Sequence, residues 1–210
     1  MFNGIISFIK LLSSKDKGLY VFIHDLTGFY PKNIELYKLA FVHRSMPVKD
    51  ANGNWVNNER LEYLGDAVLD LVVAAYLYHH YPDKHEGFLP STRATIVPRH
   101  SLNRIGKLFH LDQHVKASSH SSSHNSYISG NAVEAFVGAI YLDRGYDCAQ
   151  KFIEQKIIRD NIDIVSLVNT EKNFKSRLIE WTQKYHVVIE YELVDTYCDT
   201  ENNPVFRTAV

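Results

Sequence analysis

Thirteen residues, NERLEYLGDAVLD from Asn58 to Asp70, constrain this chain more than any other stretch. Leu61, Leu64, Val68, Leu71, Val72 and Ala75 recur at helical spacing, which predicts an amphipathic helix with one buried side. Beside that apolar stripe runs a row of acids. Glu62 and Asp66 are four residues apart, so their carboxylates project from one face a turn apart. Glu59 lies near them at the start of the segment, and Asp70 continues the row. Arg60 points elsewhere, so no cation on that face is expected to neutralise the row. Like charges at this spacing weaken a helix by a few tenths of a kcal/mol per pair, so stability gives no reason for them. A divalent cation does, because Mg2+ takes hard oxygen ligands and is held by one or two carboxylates plus water or phosphate. The plainer alternative is a solvated acidic face, the usual meaning of such a row.

A second segment weighs against that alternative. From Gly130 to Tyr146 (GNAVEAFVGAIYLDRGY), Val133, Val137, Ile140 and Tyr141 form one helical face, flanked by Ala132, Phe136 and Ala139. Gly145, just past the periodic run, with Arg144 in the last turn, marks the C-terminal end. Asn131 and Glu134 share a face, and Gly138 one turn on permits a close approach by another chain segment. Two such helices packed together pool Glu62, Asp66, Asn131 and Glu134 into one oxygen-rich pocket.

NERLEYLGDAVLD resembles the signature of the ribonuclease III family of double-stranded-RNA endonucleases. LAFVHRS (Leu39 to Ser45), EGFLPSTRATIV (Glu86 to Val97) and the Gly130 to Tyr146 helix follow in the family's order, and the likeness covers roughly Tyr30 to Ile164. The resemblance implies an all-α catalytic domain, a homodimer, and one Mg2+-dependent site per subunit in which Mn2+ can substitute. By position, Glu62, Asp66 and Glu134 fall on the family's metal-binding and catalytic carboxylates. Asp66 is expected to align or deprotonate the attacking water, and Glu134 to share the metal. Glu59 and Glu86 fall on acidic positions near the subunit junction, and Tyr63 stands where the family often has a phenylalanine packing across the dimer. The implied reaction cuts both strands of duplex RNA, leaving 5′-phosphate and 3′-hydroxyl ends, with rRNA and mRNA processing as its setting. One position departs: Asn131 stands where the family usually has aspartate. Its amide oxygen can still ligate a hard cation, but it brings no charge and cannot accept a proton.

The net charge of −1 is low for a nucleic-acid binder. The basic residues that can meet phosphates are Arg93, Arg99, Arg104, Lys107 and Lys116, between the two acidic helices. Cys148 and Cys198 are too far apart in sequence for a metal knuckle and read as free thiols. No apolar run reaches the length needed to span a bilayer, and the first residues read as a short helix rather than a signal peptide, so a cytoplasmic location is expected. Pro82 ends the signature helix, and Ser91 to Leu111 reads as one or two helices interrupted near Pro98. Ser118 to Ser126 has serine at six of nine positions and reads as a loop, so ligation by its His120 and His124 is not expected.

The expected organisation is an N-terminal extension over 1–26, a catalytic domain over 27–168 and a partial double-stranded-RNA-binding domain over 171–210. In that last part Phe174, Leu178 and Trp181 mark an amphipathic helix, with Arg177 and Glu180 on its wet side. A strand over Val187 to Thr196, a polar turn at Asp199 to Asn203 and a strand from Val205 follow. This resembles the opening α-β-β of that α+β fold. With five Lys/Arg against seven Asp/Glu from Glu171 onward, it is expected to bind RNA poorly. Two rival functions stand beside the endonuclease: a weakened double-stranded-RNA or ribosome-associated binder of the same fold, and an all-helical nucleotide pyrophosphohydrolase.

Overall fold

The structure is a computed structural model, and it describes residues 15–84, 87–118, 127–161, 174–198 and 204–210. Glu86, most of the serine-rich loop with His120 and His124, the expected N-terminal helix, the Asp199 to Asn203 turn, and the side chains of Phe174, Arg177 and Glu180 lie outside the described residues. The chain divides into two compact units, Met1–Val168 and Asn169–Val210.

The first unit is helical. Helix α1 (Lys17–Thr27) stops at Gly28, whose φ of 79° turns the chain and whose N–H donates to the His24 carbonyl at 2.7 Å. Helix α2 (Ile34–Ala40) starts at Asn33, whose side chain accepts from the Glu35 amide. A small antiparallel hairpin, β1 (Val48–Lys49) with β2 (Trp55–Val56), leads into the long helix α3 (Glu59–His80), which ends ahead of Pro82 as expected. Helices α4 (Phe88–Ile96) and α5 (Arg99–Leu108) are separated at Val97–Pro98, because proline interrupts the backbone ladder there. After a short 3-10 turn (Leu111–Gln113) comes α6 (Ile128–Arg144), then α7 (Tyr146–Phe152), which runs on as a π-helical stretch over Ile153–Arg159.

Helix α6 is the axis of this unit. Ala132, Val133, Ala135, Phe136, Val137, Ala139 and Ile140 are all buried, so it presents apolar atoms in every direction and α2, α3, α5 and α7 pack around it. The Phe136 ring lies near Tyr37, Phe41 and Phe152, with centroids 5.6 to 6.0 Å apart. Ile23 of α1 is fully buried in the same core. Near the end of α6, the buried Asp143 carboxylate accepts from the Lys32 amide at 3.0 Å, the Asn33 amide at 2.7 Å and the Tyr37 hydroxyl at 3.1 Å. It thereby satisfies two open amides at the head of α2 from 110 residues away. Burial beside this carboxylate also holds the Tyr37 phenol well above its ordinary range.

Three expectations are corrected. Leu71 is exposed rather than part of the buried stripe; the buried face of α3 is Leu61, Gly65, Val68, Leu69, Val72, Val73 and Leu77, because α6 covers only the side centred on Gly65. In the second unit, α8 (Phe174–Tyr185) precedes β3 (Glu192–Cys198) and β4 (Pro204–Ala209), antiparallel with Glu192 opposite Ala209 and Cys198 opposite Pro204. The first of these strands starts at Glu192 instead of Val187. Before it, the chain is still leaving the helix: the Val187 amide donates to the Thr182 carbonyl and His186 has φ 54°. Trp181, expected on the packed face of its helix, is half exposed.

Candidate active site

Two glycines set the geometry. A Cβ on Gly65 would run into the carbonyl of Glu134 and lie 2.8 Å from the Gly138 amide nitrogen. A Cβ on Gly138 would run into the Leu61 carbonyl and lie 3.2 Å from the Gly65 amide nitrogen. At this crossing α3 and α6 touch backbone to backbone, which only residues without a side chain allow. Glu62 and Asp66 flank Gly65, while Glu134 lies one turn before Gly138, so the crossing brings carboxylates of both helices together. The start of α3 is fixed independently. Asn58 is buried, its side chain donates to the Ala40 carbonyl at 3.2 Å, its amide donates to Val42, and its own carbonyl accepts from the Glu62 amide.

The electrostatics follow from this convergence. Burial, followed by the charges of Asp66 and Glu62, pushes the Glu134 carboxyl up to about 7. Glu62 is raised by burial and by Glu59, opposed by Arg99, Arg44 and a side-chain hydrogen bond with Asn131. Asp66 is raised by burial and by Asp70, opposed by Arg99 and Arg93. The sequence row therefore does not stand without cations, because other elements supply them. Arg44 lies 3.7 Å from Glu59, Arg93 of α4 lies 3.4 Å from Asp70, and Arg99 at the head of α5 acts on Glu62, Asp66 and Glu134 together. Arg44 escaped the sequence reading although it sits inside the LAFVHRS segment, and nothing in its spacing aims it at Glu59. Asn58 escaped as well, and its place just ahead of the first acid was the available signal.

Of the other expected residues, Tyr63 is 82% exposed, which suits a contact with something outside the chain. Arg104 turns from the site and donates to the Asn161 carbonyl at 2.8 Å. Lys107 and Lys116 are exposed. The amide and carbonyl of Lys116 bond to Phe41 and His43, so its segment runs beside the one carrying Arg44.

A family model for ribonuclease-III-like domains matches residues 33–161. The chain belongs to the ribonuclease III family. Over its whole length it is 50% identical to the Ribonuclease 3 of Bacteroides fragilis, of which it spans 72%, and 47% identical to that of Bacteroides thetaiotaomicron, of which it spans 68%. Among solved structures, the nuclease domain of ribonuclease III from Campylobacter jejuni is 33% identical with a TM-score of 0.58, covering 65% of this chain and 94% of that one. Membership in the ribonuclease III family makes this chain a nuclease and implies a divalent metal. Among the described residues, no three His, Cys, Asp or Glu side chains are gathered closely enough to chelate one ion as they stand. The donors nevertheless fit a hard cation. They are oxygens alone, and the burial of Glu134 beside the Asp66 and Glu62 charges, which pushes its carboxyl up to about 7, is a cost that a bound cation relieves. Such a site uses one or two carboxylates with water and phosphate completing the shell, rather than a closed protein cage.

Proposed function

We propose that this ribonuclease III family member hydrolyses double-stranded RNA as a Mg2+-dependent endonuclease, with Mn2+ able to substitute, leaving 5′-phosphate and 3′-hydroxyl ends. The observation that carries the reading is the convergence of Glu62, Asp66 and Glu134 at the Gly65/Gly138 crossing. Glu62, Asp66, Glu134 and the Asn131 amide oxygen would hold the cation, which when bound supplies charge neutralisation at the phosphate and acidification of water. Asp66, more open than Glu62, orients the attacking water and takes its proton. Glu134, balanced near neutrality, is the second proton-holding group. Arg99 and Arg93 lie close enough to these acids to meet the scissile strand's phosphates, and Lys107 and Lys116 add weaker basic surface. Duplex RNA is read by shape and backbone, so little base specificity is expected.

A homodimer is part of the proposal. Tyr63, Ala67, Leu71, Ala74 and Tyr78 form an exposed apolar stripe along α3, at spacings of four, four, three and four. Leu71 falls near its midpoint, so a second copy crossing antiparallel there would set Tyr63 against the partner's end of the stripe. Beside Tyr78 is a cavity of about 240 Å3, also lined by Tyr81 and Leu89, that can take an aromatic ring. A structure of the Campylobacter jejuni nuclease domain is described by flexibility in a region involved in dimer formation, which agrees with this reading. Residues 27–168 are proposed as the catalytic domain and 171–210 as part of a double-stranded-RNA-binding domain. No helix among the described residues is long and apolar enough to cross a membrane, and the proposed setting is rRNA and mRNA processing in the cytoplasm. The test is incubation of the purified chain with a long duplex RNA in Mg2+, in Mn2+ and in chelator. Cleavage in the first two and none in the third supports the proposal, whereas tight binding without cleavage overturns it in favour of a binder.

A further inference from the structure

Resting on the reading that RNA is the substrate, we infer that the β1–β2 hairpin is a specificity element: Trp55 stacks on an unpaired base at the border of the duplex, while Lys49 and Arg44 meet the neighbouring phosphates. Trp55 is 66% exposed, an unusual place for the largest apolar side chain. In the antiparallel register it stands opposite Lys49, so the two side chains share one face of the hairpin, and the Lys49 Nζ lies 5.1 Å from the indole centroid. Val48 and Val56 pair on the other face, where Val56 is half-buried.

An exposed ring on a loose loop would lose much of its stacking energy to ordering. This one is held at both ends. At the tip, the Asp50 carboxylate accepts from the Asn52 and Asn54 amides at 2.9 and 2.8 Å and from the Asn54 side chain at 3.3 Å, and Gly53 takes the φ of 84° that the turn requires. At the root, the Met46 amide donates to the His43 carbonyl at 2.9 Å, while the Asn57 side chain donates to the Glu59 carboxylate at 3.0 Å and accepts from the Glu59 amide at 2.9 Å. The hairpin thus grows out of the head of α3. Extended chain from Trp55 to Glu59 and one turn of α3 put the backbones of Trp55 and Glu62 within about 18 Å, so one RNA strand can pass from the acids to the indole.

The chemistry of this face selects its occupant. Duplex RNA presents its backbone and a shallow minor groove, so a paired base offers the indole no open ring face. Unpaired bases in loops, bulges and ends do, and they stack on aromatic side chains whatever their identity. Lys49 and Arg44, both exposed, supply the cations that a phosphate backbone needs, whereas the one acid of the hairpin, Asp50, is taken up by the turn. A protein partner would use a strand long enough to pair with or a broad apolar face; here each strand has two residues and a lysine lies over the ring. The chain should therefore prefer duplexes bordered by unpaired nucleotides near the cut.

The experiment uses the full chain in chelator, where binding is read without cleavage, and two RNAs: a blunt duplex and the same duplex closed by an unpaired loop. Trp181 is the only other tryptophan, so in a Trp181→Phe background the fluorescence reports Trp55 alone. It should be quenched by the looped RNA and not by the blunt duplex. Trp55→Ala should weaken binding of the looped RNA about tenfold and leave the blunt duplex within about twofold, whereas Trp55→Phe, which keeps a ring, should retain most of the preference. Melting of Trp55→Ala within about 2 °C of native, as expected for an exposed side chain, shows that the variant is folded. Lys49→Ala should lower the salt dependence of looped-RNA binding by about one counterion. A Trp55→Ala chain that binds the looped RNA as the native chain does overturns the inference, as does an equal loss on both RNAs. So does one that keeps its RNA affinity but falls from dimer to monomer in light scattering, since the hairpin would then serve a second copy. A native chain that cleaves neither RNA in Mg2+ or Mn2+ refutes the nuclease chemistry proposed above, while the fluorescence and affinity comparison still decides the role of Trp55.

Discussion

Replacing Gly65 with alanine tests the crossing on which the site depends. The added methyl meets the Glu134 carbonyl and the Gly138 amide, both backbone atoms that no rotamer change can move, whereas ordinary contact begins at 3.4 Å. Relief requires α3 and α6 to part by about 1.5 Å, which opens gaps in an interior packed to crystal-like density. Overpacking costs about 1–3 kcal/mol, and with no yielding side chain the upper end applies. For a chain of this length, about 3 kcal/mol lowers the melting temperature by about 6–12 °C. Parting the helices also separates Glu62 and Asp66 from Glu134, and a misplacement of about 1 Å costs about 100-fold in turnover. Melting curves and single-turnover cleavage of a labelled duplex read both effects. Gly18→Ala is the control: its Cβ meets nothing within 4 Å, so this helical position should melt as the native chain does or slightly higher. A Gly65→Ala chain that melts within about 1 °C of native and cleaves at the native rate would refute the reasoning, since about 1 kcal/mol is the least such overpacking costs.

Glu134→Gln should abolish cleavage while melting as native or higher in chelator, because it removes a carboxylate that burial and its neighbours disfavour; unchanged cleavage rates would exclude Glu134 from the chemistry. The metal-free chain should lose stability as pH rises from about 4.5 to about 7: a carboxyl whose folded value lies above its unfolded one stabilises fully below the unfolded value and ceases to do so on passing the folded one. Glu62 and Asp66 are shifted the same way, and saturating Mn2+ should flatten the slope, as melting across that pH range will show. Asp143→Ala leaves two amides and the buried Tyr37 hydroxyl without their acceptor, at about 1–3 kcal/mol for each group that water cannot reach, so it should melt far below Tyr37→Phe. Tyr63→Asp should shift the chain from dimer to monomer in light scattering, with a melting curve of the monomer that stays cooperative.

The main helices and the grouping of acids on two of them were legible from local spacing, because apolar periodicity and capping act within a few residues of themselves. Gly138 was read correctly as a point of close approach, but Gly65, inside the signature, was not. Its role depends on which face of α3 meets α6, and Leu71 was assigned to the wrong side for the same reason. Arg44 and Arg99 reach the carboxylates from other elements, and Asp143 reaches α2 across 110 residues. Such pairings follow from tertiary placement and leave no short-range pattern. The start of β3 was misjudged because the β-branched run Val187 to Ile189 reads as strand while His186 and Val187 are still bonded into the helix end.

The central position of α6 also bears on how the chain is made. Helices α2, α3 and α5 are synthesised first, yet the surface they cover, including the carboxylate that completes the head of α2, emerges only after residue 143 has left the ribosome. Until then their oily faces have nothing to close upon, and such unfinished intermediates are the species most prone to clump. Slow delivery of that last hub, rather than weakness of the finished enzyme, is where a cell producing this protein would need its chaperones.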